Sequence, residues 1–350
     1  MATDDEAADE REREPGPRAT GASDDATQNL TLVQAVRDAL HTEMERDEDV
    51  VVMGEDVGKN GGVFRATEWL HDEFGEDRVI DTPLAESGIV GTAIGMAAYG
   101  LRPVPEIQFS GFMYPAFDQL VSHAARLRTR SRGSYTAPIT VRAPYGGGIR
   151  APEHHSESKE AFYAHEPGLK VVIPSTPYDT KGLLLSAIRD PDPVVFLEPK
   201  LIYRAFRQDV PEGSYTVPIG EATTRREGED VSVFTWGAMT RPTLEAAENL
   251  APEVDAEVVD LRTVSPMDRE ALVESFEKTG RAVVVHEAPR TGGLAGEITA
   301  VLQEEALLYQ EAPVTRVTGY DVPYPLYALE DYYLPSVERV EAGIEEAVGF

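Results

Sequence analysis

Cysteine is absent from the 350 residues, which removes disulfides, thiolate metal sites and a cysteine nucleophile together. Long apolar runs are missing too: nothing approaches the ~18 residues needed to cross a bilayer, and the N-terminus lacks a basic-then-apolar signal pattern. The expectation is a soluble cytoplasmic chain with no membrane partner. Basic residues are scarce, 32 Lys and Arg against 62 Asp and Glu, and the resulting formal charge of −30 repels nucleic acid and anionic lipid. Arginine dominates the few basic residues. Together with the acidic excess, this points to a salt-adapted, halophilic cytoplasm.

What is present suffices for two domains and a tail, with 41% hydrophobic residues. Residues 1–28 mix acidic residues with Gly, Pro, Ala and Ser without apolar periodicity, and read as a disordered acidic tail. From Leu30 the pattern is helical, with Leu32, Val33, Val36, Ala39, Leu40 and Met44 on one stripe after a cap at Asn29 or Thr31. Short apolar runs follow at Val50–Met53, Val104–Phe109, Ile139–Ala143, Val171–Pro174 and Val194–Glu198, separated by helical stretches. That alternation predicts an α/β domain over 29–203, a parallel sheet covered by helices. A polar, Gly/Pro-bearing linker is expected over 204–221. A second strand set at Val231–Trp236, Ala256–Asp260, Ala282–His286 and Val314–Val317 alternates with helices at Arg241–Leu250, Arg269–Lys278 and Gly296–Leu308. It predicts a smaller α/β domain over 222–350.

The most informative segment is Asp81-Thr82-Pro83-Leu84-Ala85-Glu86-Ser87-Gly88, followed by Gly91, Gly95 and Gly100 in an otherwise apolar helix. Glycines so spaced let a helix approach other backbone or a partner subunit closely. Taken alone, Glu86 reads equally well as an acid facing the helix dipole. Glu153-His154-His155-Ser156-Glu157 pairs two histidines with acids, yet adjacent side chains diverge and no third-ligand pattern is present, so metal ligation is not expected.

From Leu30 onward the chain resembles the β subunits of pyruvate and branched-chain 2-oxo acid dehydrogenases, the decarboxylating components of 2-oxo acid dehydrogenase complexes. The resemblance rests on Gly54 to Gly58, Asp81 to Gly88, Gly100 to Pro103, His155-Ser156, Pro167 to Pro174, Lys181 to Leu184 and Asp260 to Thr263, in the family's order across both domains. It implies a transketolase-like pyrimidine-binding domain followed by a transketolase C-terminal-like domain.

It also implies thiamin diphosphate as cofactor. Glu86 would hydrogen-bond the pyrimidine nitrogen N1′ and so help activate the thiazolium. Leu84 and Gln108 would line the same pocket, and Phe112, otherwise read as core, would stack on the pyrimidine. Glu55, otherwise a solvated turn acid, and Asp118 would form a buried proton relay between two cofactors. His155 rather than His154 would be the active-site histidine, orienting the 2-oxo acid and moving protons during transfer to the lipoyl arm. A structural potassium site would involve Ala137, Ile139, Thr140, Ala187, Asp190 and Asp192, where the bland alternative is a capped loop.

No Gly-Asp-Gly segment for Mg²⁺ and diphosphate occurs in the sequence. The resemblance therefore implies an α subunit that supplies both, an α2β2 assembly, and a lipoyl-acyltransferase core as acceptor. The substrate is left open between pyruvate and a branched-chain 2-oxo acid: 286–289, 291–293 and 319–321 look closer to branched-chain enzymes, while 172–201 resembles bacterial pyruvate enzymes equally well. A single-chain transketolase relative is disfavoured by length and by the missing phosphate motif. The other rival is a catalytically silent subunit that only assembles on the core.

Overall fold

The structure, a computed structural model, describes residues 26–350, so the predicted tail lies largely outside the described residues. The first helix, Leu32–Arg46, starts where both ends of a cap can be made. The Thr31 hydroxyl accepts from the Gln34 amide, and the Gln34 side chain accepts from the Thr31 amide. Of the two predicted caps, Thr31 is the one used. The stripe read from the sequence, Leu32, Val36, Leu40 and Met44, packs into a core shared with Val50, Val52, Leu184 and Ile188.

Seven strands make the first sheet, in the order Thr263–Ser265, Lys170–Val172, Val194–Pro199, Thr140–Tyr145, Arg102–Glu106, Val50–Gly54 and Val79–Asp81. Every pairing is parallel except that of the outermost Thr263–Ser265. Covered on both faces, Val50–Gly54, Thr140–Tyr145 and Val194–Pro199 bury every residue, which is why they read largely as apolar runs rather than alternations. The charges they carry are paired internally. Arg142 reaches Glu198 at 2.7 Å and Glu106 at 3.0 Å, and the Tyr203 hydroxyl donates to Glu198.

The second sheet has the order Thr315–Gly319, Ala282–Pro289, Val231–Thr235, Ala256–Asp260 and Thr223–Arg226, antiparallel only at the last. Helices Thr240–Leu250, Arg269–Thr279, Ala295–Glu305 and Val337–Val348 accompany it. The two-domain α/β architecture, each domain built on a largely parallel sheet, is thus the one expected.

Two local expectations need correction. Thr27 and Gln28, assigned to the tail, belong to a strand Thr27–Leu30 that pairs antiparallel with Gln208–Pro211 inside the predicted linker; backbone pairing orders both segments where side-chain composition gave no reason to. The strand expected over Val104–Phe109 runs Arg102–Glu106, because after Ile107 the chain turns into a 3₁₀ helix at Ser110–Ala116. The two domains also share a sheet: Thr263–Ser265 leaves the second domain to edge the first, with Arg262 bonded to Asp179 at 3.0 Å beside it. Among the described residues, no helix is long and apolar enough to cross a membrane.

Candidate active site

Parallel strands deliver their C-terminal ends to one edge of a sheet, where loops can converge. Here Val50–Gly54 leads into Glu55, Val79–Asp81 into Glu86, Arg102–Glu106 into Gln108 and Phe112, and Thr140–Tyr145 into the loop that ends at His155. Residues far apart in sequence are thereby gathered.

Glu86 is the first residue of helix Glu86–Ala98, and Ala85 before it offers no side-chain cap. Its carboxylate is half-buried and has no hydrogen-bond or ion-pair partner among the described residues. Glu55 stands close enough to feel it: burial first, then the charges of Glu86 and Asp56, raise the Glu55 carboxyl above its ordinary value. Gln108 reaches toward Asp56 at 3.5 Å. Leu84 is 77% exposed, a large apolar side chain left unpacked beside Glu86.

Phe112, Phe109 and His155 form an aromatic triangle. The His155 ring lies 4.4 Å from Phe109 and 4.9 Å from Phe112, both edge-on. Burial, then the Lys200 ammonium and His154, hold the His155 imidazole below its usual range, which favours the neutral ring, and its buried Nδ1 has no partner among the described residues. His154 instead faces Tyr114, whose hydroxyl donates to Glu157 at 2.7 Å. The two histidines do diverge.

Asp118 falls outside this group. It is exposed ahead of Gln119–His123, and among the described residues nothing bonds it to Glu55. The potassium candidates do meet at one corner: the Ile139 amide donates to the Ala137 carbonyl, Val194 to the Ile139 carbonyl, and Asp190 to the Ala187 carbonyl. Thr140 pairs with Val194 there. However, Lys170 already pairs with Asp190 and Arg128 with Asp192, so the carboxylates are balanced within the chain. A groove of about 940 Å³ lies elsewhere, between Phe162 and His165 on one side and Met267 and Leu294 on the other. None of the predicted site residues lines it.

Sequence reasoning missed Lys200. It is buried at the end of Val194–Pro199, its ammonium donates to the Gly146 carbonyl, and burial pushes it down to about 8 against the pull of Glu287 and Glu330. A lysine at the C-terminal end of a buried parallel strand was the available signal.

A half-buried carboxylate without a partner among the described residues, next to a second carboxyl raised above its ordinary value, suits a ring nitrogen that shares a proton with its ligand. The residues present therefore fit the pyrimidine half of thiamin diphosphate. Residues 28–206 match the transketolase pyrimidine-binding domain and residues 220–340 the transketolase C-terminal domain. The pyruvate dehydrogenase E1 component subunit beta of Bacillus subtilis is 55% identical over 312 residues, 89% of this chain and 96% of that protein. Its counterpart in Staphylococcus aureus is 52% identical over 92% of this chain and 99% of its own length. A solved structure, a split gene transketolase described as an inactive beta4 tetramer, superposes with a TM-score of 0.74 at 24% identity, covering 91% of this chain and 98% of that one, and shows the shared fold. With both domains matched and more than half of the residues identical along nearly the whole length, the chain belongs to the family of pyruvate dehydrogenase E1 β subunits.

Proposed function

We propose that the chain is the β half of an α2β2 dehydrogenase that decarboxylates pyruvate with thiamin diphosphate and hands the acyl group to the lipoyl arm of an acyltransferase core. The observation that carries this reading is Glu86, a half-buried carboxylate without a partner among the described residues, at the sheet edge where Gln108, Phe112 and His155 also arrive. Bound thiamin diphosphate would supply the electron sink that loss of CO2 from a 2-oxo acid requires.

Glu86 would hold a shared proton at the pyrimidine, with Glu55, whose carboxyl burial raises above its ordinary value, beside it. Phe112 would offer its ring to the pyrimidine and Leu84 an apolar wall. His155, its neutral form favoured by burial, would accept or return a proton at the substrate. Asp118 would join a relay only through groups on other chains. A potassium ion at the 137–140 and 187–192 corner would have to share Asp190 with Lys170. Mg²⁺ and the diphosphate would be held by the α chain, since no Gly-Asp-Gly segment is present. Pyruvate is favoured over branched-chain acids because the relatives at 52–55% identity are named for it.

The test is reconstitution. Alone, with thiamin diphosphate and Mg²⁺, the chain should not turn over; with an α chain carrying Gly-Asp-Gly it should release CO2 from pyruvate faster than from branched-chain 2-oxo acids. Turnover by the isolated chain would overturn the shared site. Binding to the acyltransferase core without turnover beside a competent α chain would favour the silent assembly subunit.

A further inference from the structure

The loop from Gly146 to Glu157 carries His155, and the second domain grips it. The Gly147 amide donates to Glu287 Oε2 at 2.8 Å, and the Arg150 amide donates to Glu330 Oε1 at 3.0 Å. Both carboxylates are buried, and each is itself held: Tyr324 donates to Glu330 Oε2 at 2.9 Å, and Lys200 supplies the countercharge to both. Lys200 also donates to the Gly146 carbonyl, so the loop is fixed from below and from the side. Gly146 and Gly148 have φ of +79° and +91°, and a side chain at Gly146 or Gly147 would run into Glu287 or the Tyr324 hydroxyl. On the other flank Ser110 and Tyr114 hold Glu157.

We propose that Glu287 and Glu330 are positioning residues through which the second domain sets the place of His155, by holding the backbone amides of Gly147 and Arg150. The inference rests on the active-site reading of His155 given above. Buried carboxylates bonded to loop amides are costly unless every partner is in place, so this contact has one geometry rather than many. The second domain thereby helps build the catalytic edge as well as its own sheet.

The experiment uses the full chain reconstituted with its α partner. Glu287→Ala removes the acceptor. Glu287→Asp keeps the charge that Lys200 needs but withdraws the acceptor by one methylene, and serves if the alanine variant fails to fold. Glu287→Gln keeps an acceptor oxygen within reach. Hydrogen exchange of the 146–157 amides should quicken in the first two variants and stay near wild type in the third. Acyl transfer to lipoyl groups should fall ~10-fold or more in the first two and less than ~3-fold in the third. In a His155→Ala background, Glu287→Ala should add less than ~2-fold to the loss, because both act through one group.

Full multiplication of the two losses, or unchanged exchange in Glu287→Ala and Glu287→Asp, would overturn the proposal and leave the role of His155 standing. If His155→Ala alone leaves acyl transfer intact, the reading of His155 falls and the proposal with it.

Discussion

The role proposed for Glu86 rests on the partner it lacks among the described residues. A helix-terminal acid that only faced the dipole would be worth about 0.3–1 kcal/mol and could be exchanged for glutamine with little effect on chemistry. A carboxylate that shares a proton with a bound ring cannot. Glu86→Gln should therefore slow C2 proton exchange of bound thiamin diphosphate and kcat by ~100-fold, while the fold and α2β2 assembly persist; near-normal exchange would show that another residue activates the ring. At the histidine pair, His155→Ala should impair acyl transfer far more than cofactor binding, and His154→Ala, which only loses an edge contact with Tyr114, should be mild. The reverse ranking would place the catalytic histidine one residue earlier.

Among the secondary-structure elements, three neighbouring strands are tied by one cation. Arg142 sits fully buried between Glu106 and Glu198, and burial raises the Glu106 carboxyl even with the guanidinium beside it. Arg142→Met would leave two buried carboxylates facing each other and should cost ~3–5 kcal/mol in denaturant unfolding at neutral pH, less where the acids can take up protons. A loss below ~1 kcal/mol would mean that water reaches the cluster.

The short helix Glu160–Ala164 makes the opposite pH prediction. Burial, reinforced by the charge of Glu287, raises the Glu160 carboxyl to about 7. A carboxyl whose folded value lies above its unfolded one contributes stability that is complete below pH ~4.5 and lost as pH rises through about 7. Glu160→Gln should therefore raise Tm relative to the parent at pH 8 and lose that advantage by pH 5. An equal effect at both values would show that Glu160 is ionised throughout.

The whole molecule carries a formal charge of −30, and self-repulsion of that size weakens as ions screen it. If the acidic excess reflects adaptation to salt, thermal stability should climb between low and molar potassium chloride. A flat or falling curve would leave the charge without that explanation.

Periodicity and β-branched runs determined most of the architecture by themselves: central strands buried on both faces read as largely apolar stretches, and the stripe from Leu32 to Met44 has one way to face a core. The position of Glu86 at a helix start, and the divergence of His154 from His155, were legible for the same local reason. Only the tertiary structure decided what lies between elements. Thr27–Leu30 finds its partner about 180 residues away in Gln208–Pro211, and Thr263–Ser265 joins the other domain's sheet, because backbone pairing is blind to side-chain pattern. Lys200, Glu287 and Glu330 read as scattered charges in the sequence; burial from several strands at once makes them one group, since the cost of desolvating a charge depends on everything packed around it.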